Sequence, residues 1–172
     1  MDLGTAIKGR RSIRAYTGRD VAQPLIDESI ELASCAPSAG NLQSRDFVVV
    51  RDAKTRRALA AAALGQDFVA EAPVVIVVVA NLQRVASYGN RGRDLYAIQD
   101  SAAATQNLLL ALHARGLGTV WVGAFHEAEV SRVLGLPVDA RPVAIIPVGY
   151  PAENPSPPEH LEPEEYVHFE KW

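Results

Sequence analysis

This sequence of 172 residues has almost no cysteine, no long apolar run and no excess of positive charge. Its one cysteine, Cys35, cannot form an internal disulfide, which fits a reducing compartment. The longest apolar run, APVVIVVVA, is far shorter than the ~20 residues that span a bilayer. The first residues lack the apolar core of a secretory signal, so a cytoplasmic location is expected. A net charge of -3 argues against nucleic acid as the main partner.

Common catalytic motifs are also missing. There is no Walker loop, no G-x-G-x-x-G after a strand and no G-x-S-x-G nucleophile elbow. The four histidines lack H-E-x-x-H spacing, and one cysteine cannot build a zinc cluster from neighbours in the sequence. We therefore expect no metal and no catalytic side chain that can be named. If the protein is an enzyme, a bound cofactor is expected to carry the chemistry.

Helix-like and strand-like apolar patterns alternate along the chain. Helices are predicted at 2–10, 23–34, 53–64, 94–115 and 127–134, and strands at 46–52, 73–80, 119–123 and 141–150. Asp2 and Asp52 are expected to cap the helices that follow them, and Gly65 to end the third. The strand at 73–80 is apolar at every position, so both its faces are expected to be buried. This order predicts one α+β domain over residues 1–172.

The segment KGRRSIRAYT concentrates positive charge near the N-terminus of an acidic protein. Five of the 17 Lys and Arg residues fall within twelve positions: Lys8, Arg10, Arg11, Arg14 and Arg19. Cations at the end of a helix interact favourably with its dipole, which is one explanation of the cluster. Arginine forks beside a serine hydroxyl also bind phosphate oxygens, which is the other. The cluster alone does not choose between them.

Two further stretches carry polar groups or glycines where a ligand could bind. CAPSAGNLQSRDF is either a plain helix-to-strand turn or a tight loop that presents hydrogen-bonding side chains. GLGTVWVGAF is either a core strand with a buried Trp121 or a backbone that a flat ligand can approach closely. Cys35, beside the first stretch, is expected to be a small buried residue rather than a reactive thiol.

The C-terminal segment changes character. PAENPSPPEHLEP is proline-rich and extended, and EEYVHFEKW closes the chain with apolar residues. These apolar groups either pack on their own domain or reach a second subunit.

Taken in order, these stretches resemble the FMN-dependent nitroreductase family over nearly the whole chain. RRSIRAYT resembles the family's R-R-S-x-R-x-[FY] signature, and APSAGNLQS resembles its A-P-S-x-x-N-x-Q-[PS] loop. Four more stretches of this chain resemble later blocks of the family, in the same order: GQDFVAEAPVVIVV, DSAAATQNLLLALHARGLGTVWVGAF, PVAIIPVGYP and YVHFEKW. The resemblance implies three α/β/α layers around a mixed sheet. It also implies a homodimer with flavin at the interface and a C-terminal arm that reaches the other subunit.

The resemblance also implies a set of FMN-binding residues. Arg10, Arg11 and Ser12 would hold the phosphate, and Arg14 would lie near the N1/O2 edge of the ring. Gln66 would read the pyrimidine edge, and the backbone of Val122 and Gly123 would meet N5 and O4. The remaining residues would come from the partner subunit and line the ring and ribityl chain: Pro37, Ser38 and Asn41.

The function implied is reduction of nitroaromatic or quinone-type acceptors by NAD(P)H in a ping-pong reaction. The family's other branches leave two alternatives, a flavoprotein with another redox task and a flavin-binding dimer without turnover.

In one respect the sequence departs from the family's pattern. Many members have a Lys or Arg after G-Y-P, but this chain has none between Tyr150 and Glu170. The N-terminal arginines would then hold the phosphate almost alone.

Overall fold

The computed structural model describes all residues, Met1–Trp172. The helices are α1 (Leu3–Gly9), α2 (Gln23–Ser34), α3 (Ala53–Ala62), α4 (Phe68–Glu71), α5 (Gly89–Arg91), α6 (Ala97–Ala114) and α7 (Glu127–Leu134). The strands are β1 (Arg45–Val50), β2 (Val74–Asn81), β3 (Gly118–Thr119) and β4 (Ala140–Gly149). No helix combines the length and the apolar character needed to cross a membrane.

The predicted helix signals are confirmed by the contacts at the helix ends. Asp2 accepts a hydrogen bond from the Thr5 N–H at 3.0 Å, and Asp52 accepts one from the Thr55 N–H at 2.8 Å. Gly65 has a φ of 75° just beyond α3, where a left-handed residue ends the helix. The helix expected from Asp94 begins as α-helix only at Ala97, because residues 92–96 form a π-helical turn.

The four strands form one sheet in the order β1-β2-β4-β3, and each neighbouring pair is antiparallel. Central strand β2 has buried residues at every position except Asn81, as its apolar run predicted. Parallel pairing is confined to one bridge between Ser12 and Thr119. The mixed character expected of the sheet is therefore limited to its β3 edge.

Helices cover both faces of the sheet, which confirms the α+β class and the three layers. On one face, Ile76 of β2 belongs to an apolar cluster with Ile26 of α2 and Leu112 of α6. On the other face, Val77 belongs to a cluster that α3 and α7 complete through Leu59 and Val130. Successive β2 residues point to opposite faces, so a strand that is apolar throughout serves two cores.

The apolar side chains of the C-terminal arm do not pack on their own domain. Phe169 is 85% exposed and Trp172 is fully exposed. Trp172 stacks only on His168, with 4.4 Å between the ring centroids. The arm therefore presents an apolar end that a second copy of the chain could cover.

Candidate functional site

The N-terminal arginine segment lies along the β3 edge of the sheet. The Ile13 N–H donates to the Thr119 carbonyl at 2.9 Å, next to the Ser12–Thr119 bridge. This close approach requires a glycine at position 118, because a Cβ there would lie 2.8 Å from Ile13 Cγ2. The sheet edge thus holds Ser12 and its flanking arginines in a defined place.

Three guanidinium groups of this segment have no carboxylate partner. Arg10 and Arg14 make no side-chain hydrogen bond, and Arg11 donates only to the carbonyls of Lys8 (2.7 Å) and Arg10 (2.9 Å). Five other arginines of the chain form salt bridges: Arg51, Arg84, Arg93, Arg115 and Arg141. Because three guanidinium groups without a salt bridge lie together here, the cluster is a local excess of positive charge, which favours an anionic ligand.

A cleft of about 270 Å³ opens in front of these arginines. It has no apolar side chain other than prolines, and its lining residues are Arg10, Arg11, Ser12, Arg14, Pro155, Ser156 and Pro158. One wall is thus the N-terminal segment and the other is the C-terminal arm. Cations, hydroxyl groups and an open mouth are the features that a phosphate group requires.

The Arg14 side chain lies against a wall that contains Phe68 and, two residues earlier in the chain, Gln66. The Arg14 guanidinium lies over the Phe68 ring, 5.9 Å from its centroid. Gln66 Nε2 donates to the carbonyls of Ala63 at 2.8 Å and Ala124 at 3.1 Å. Both of its amide protons are therefore used, and its Oε1 is left as a free acceptor.

The backbone that follows β3 leaves several N–H groups without a partner in the same chain, and Gly123 is one of them. Val122 exchanges both of its backbone hydrogen bonds with Ile145, each at 3.0 Å, so its N–H is not available to a ligand. The Gly123 N–H has no partner. Trp121, for which a buried position was one possibility, is 39% exposed. Val120 and Val122 on either side of Trp121 are buried in the core, so the stretch is part of the core on one face and exposed on the other.

The loop with Pro37, Ser38 and Asn41 lies apart from the arginine cleft. Pro37 and Ser38 line a separate cavity of about 520 Å³ with Tyr88, Tyr96 and α6. The loop is tightly folded, since Asn41 has a φ of 56°. The Ser38 hydroxyl accepts a hydrogen bond from the Gln43 N–H at 3.0 Å.

The loop with Pro37, Ser38 and Asn41 and the cluster of Arg10 and Arg11 lie at opposite ends of α6. Asp100, in the first turn of α6, accepts a hydrogen bond from the Ala39 N–H of the loop at 2.9 Å. His113, in the last turn, lies against Gly9 beside the arginines. The thirteen residue steps from Asp100 to His113 correspond to about 20 Å of helix. Within one chain, the loop does not line the arginine cleft.

His113 lies beside the arginines, and Cys35 precedes the loop with Pro37, Ser38 and Asn41 in the sequence. Partial burial and the charges of Arg10 and Arg11 lower the pKa of His113 below its usual value. Cys35 is exposed, so the expectation of a small buried residue is wrong. It is the C-cap residue of α2, and its side chain makes only a weak contact with the Glu31 carbonyl.

Sequence reasoning missed four residues of these regions: Phe68, Asp100, Glu153 and Ser156. A signal existed for Asp100, because it shares one helix face with the apolar positions Ala97, Ala104 and Leu108. A lone carboxylate on a buried face predicts a polar role in the interior. No local pattern pointed to Glu153, whose carboxylate accepts hydrogen bonds from the backbone N–H groups of Arg14 and Ala15.

Comparison of the sequence with known proteins identifies one family. The model of the nitroreductase family matches residues 7–66 and 61–150. An NADH dehydrogenase of Thermus thermophilus is 38% identical, over 97% of this chain and 95% of the relative. An oxygen-insensitive NADPH nitroreductase of Salmonella typhimurium is 31% identical, over 93% of this chain and 70% of the relative.

A solved structure extends the comparison to the fold. The NADPH:FMN oxidoreductase from Vibrio harveyi, complexed with NAD+, superposes with a TM-score of 0.89 at 29% identity. The match covers 97% of this chain and 76% of that one. The family model, the relatives and the fold agree, and the chain belongs to the nitroreductase family.

Proposed function

We propose that the protein is an FMN-dependent oxidoreductase that uses NAD(P)H to reduce nitroaromatic or quinone-type acceptors. The relatives support the reaction class, since their names are NADH dehydrogenase, NADPH nitroreductase and NADPH:FMN oxidoreductase. The observation that carries the proposal is the cluster of three arginines without carboxylate partners at an open cleft.

The cleft residues fit the phosphate of FMN. The unpaired side chain of Arg10 can donate to phosphate oxygens as a fork, and Ser12 adds a hydroxyl. Arg11 contributes charge while two backbone carbonyls hold its side chain in place. An anion here would neutralise charge that no protein carboxylate neutralises.

The wall beside Arg14 fits the flavin ring. Arg14 places a cation next to this wall, and Gln66 presents an acceptor that matches the ring's imide N–H. Gly123 offers a free N–H to the ring. The Val122 N–H cannot bind the ring, because it is paired with Ile145, and this pairing fixes the backbone next to Gly123. When bound, FMN supplies hydride transfer, and the chain supplies position and electrostatics.

NAD(P)H and the acceptor take turns at one open face, which makes the reaction ping-pong. Gly123 is exposed, and a Cβ there would meet nothing closer than the Trp121 ring at 3.9 Å. Gly123 lines a cavity of about 250 Å³ with Glu127 and Arg141, which flat molecules can reach. Because the Arg141 guanidinium donates two hydrogen bonds to the Glu127 carboxylate, at 2.9 and 2.8 Å, we assign neither group as a catalytic acid or base.

A homodimer explains why the loop with Pro37, Ser38 and Asn41 stands apart from the arginines. We assign this loop to the flavin held by the arginines of a second copy. The exposed apolar end of the C-terminal arm gives that copy a surface to cover. The interface would then unite the two halves of each site.

A mixed dimer tests the shared site. One copy carries Arg10→Ala and the other carries Asn41→Ala, with different affinity tags for purification. If each site combines two copies, one site is intact and the other is doubly altered, so half of the sites bind FMN with wild-type affinity. If each site is built within one copy, both sites are damaged and no wild-type binding is found. That result would contradict the shared site.

Reduction without oxygen tests the activity. The purified protein is expected to show flavin absorbance that NADH or NADPH bleaches and that a quinone or a nitroaromatic compound restores. Bound flavin that neither nicotinamide bleaches would favour a non-catalytic dimer. Bleaching that neither acceptor reverses would favour another redox task. Absence of any flavin binding would overturn the whole proposal.

A further inference from the structure

The start of the C-terminal arm pairs with the arginine segment in a fixed register. The Thr17 N–H donates to the Tyr150 carbonyl, and the Ala152 N–H donates to the Ala15 carbonyl, both at 2.9 Å. An antiparallel bridge joins Tyr16 and Pro151 between them. The two segments therefore run in opposite directions, side by side.

Glu153 extends this pairing by one step with its side chain. Its carboxylate accepts hydrogen bonds from the backbone N–H groups of Arg14 and Ala15, the second at 3.1 Å. The carboxylate is thus directed at the backbone, and it forms no salt bridge with the nearby guanidinium groups. The arm is anchored where the arginine cleft begins.

The ladder then ends and leaves a gap. Continuing the register would bring Ser156 level with Arg11, with prolines at 155, 157 and 158. In a regular ladder the Ala15 N–H would donate to the Ala152 carbonyl, but it donates to the Glu153 carboxylate instead, so the pairing stops there. The gap between the two segments is the cleft of about 270 Å³, which Arg11 and Ser156 both line.

We propose that Ser156 is a ligand of the phosphate subsite and that Glu153 positions it there. This inference rests on the proposed function, because it assigns the phosphate of FMN to the cleft. The arm carries no Lys or Arg between Tyr150 and Glu170, so it contributes a hydroxyl group and no charge. The flanking prolines restrict the backbone, which lowers the entropy cost of holding that hydroxyl in place.

Comparing FMN with riboflavin tests this assignment, because the two ligands differ only in the phosphate. We expect Ser156→Ala to raise the Kd for FMN about tenfold, the loss of one hydrogen bond to a charged group. The Kd for riboflavin should stay within about twofold of wild type. Ser156→Thr keeps the hydroxyl and is expected to keep the FMN affinity. Ser131→Ala, on α7, is the matched control.

Each outcome separates this inference from the proposed function. Loss of affinity for FMN alone supports it. Equal loss for both ligands would overturn it, since the arm would then act on the ring or the fold. No change in Ser156→Ala, with a large loss in Arg10→Ala, would overturn it and leave the proposed function standing. A wild-type protein that binds neither ligand would overturn both.

Discussion

The Asp100 carboxylate accepts a 2.6 Å hydrogen bond from the Ser44 hydroxyl, and both side chains are buried. Its other oxygen accepts the bond from the Ala39 N–H, and it forms no salt bridge. The two hydrogen bonds thus satisfy both oxygens of a carboxylate that lies in the interior. Asp100 thus ties the loop at 37–41 to the central helix.

Replacing Asp100 tests this tie. Asp100→Ala leaves the Ala39 N–H and the Ser44 hydroxyl without a partner, so we expect the free energy of unfolding to fall by about 2 kcal/mol. Asp100→Asn can still accept from Ala39 and pair with Ser44, and should lose less than half as much. Chemical denaturation of both variants measures the difference. Equal losses would show that the negative charge matters more than the hydrogen bonds.

Arg10 is expected to contribute most of its binding energy through the phosphate. We expect Arg10→Ala to weaken FMN binding by about 1.5–3 kcal/mol, the range for a hydrogen bond to a charged group. Riboflavin binding should not change. Arg132→Ala on α7 removes an exposed arginine that also lacks a salt bridge, and serves as the control. Titration of flavin fluorescence measures the Kd of each variant for FMN and for riboflavin. An unchanged FMN affinity would move the phosphate site elsewhere.

Local patterns predicted most of the fold. Capping aspartates, helix periodicity and the apolar run at 73–80 depend on near neighbours, so the five predicted helices and the buried central strand followed from them. The strand predicted at 119–123 was wrong beyond Thr119, because β3 pairs with β4 only at Gly118 and Thr119. The π-helical turn before α6 did not, because it depends on packing between residues 85 and 96. The exposure of Cys35 depends on where α2 ends relative to its neighbours, which no local pattern records.

The site was less accessible to sequence reasoning. Arg10, Arg11 and Ser12 stand together in the chain, so their shared cleft was predictable as a cluster. Ser156 reaches that cleft only through pairing between the two ends of the chain. Likewise, the backbone of Val122 looked available until its pairing with Ile145 was known. Long-range pairing decides which donors remain free.

Gln66 offers a prediction that separates the ring from the phosphate. In Gln66→Glu, carboxylate oxygens replace the amide protons that now bind the carbonyls of Ala63 and Ala124. We expect the free energy of unfolding to fall by about 1–2 kcal/mol. The affinities for FMN and riboflavin should fall together, since both ligands have the same ring. A loss for FMN alone would place Gln66 near the phosphate instead.

Gly118 tests the close approach that positions Ser12. In Gly118→Ala the new methyl would lie 2.8 Å from Ile13 Cγ2, and overpacking of this kind costs about 1–3 kcal/mol. FMN binding should weaken as well, because Ile13 adjoins Ser12. Gly18→Ala is the matched control, because a Cβ there would meet nothing within 4 Å, and it should change stability by less than about 0.5 kcal/mol. Thermal unfolding and FMN titration of both variants check this.

His113 gives the arginine cleft a pH-dependent signature. Its pKa is lowered by partial burial first and by Arg10 and Arg11 next. The unfolded chain therefore binds this proton at higher pH than the folded chain does, so the free energy of unfolding falls as pH drops through 6.5. His113→Gln should remove this part of the pH dependence below the ordinary pKa of 6.5, and chemical denaturation of both proteins at a series of pH values measures it.

The same histidine can report which ligand group enters the cleft. A phosphate that neutralises Arg10 and Arg11 removes their repulsion, so FMN should raise the pKa of His113. Riboflavin, which lacks the phosphate, should leave it unchanged. An NMR titration of the imidazole in the free, FMN-bound and riboflavin-bound protein measures the three values. Equal shifts with both ligands would mean that burial by the ring, and not neutralisation of the arginines, controls this histidine.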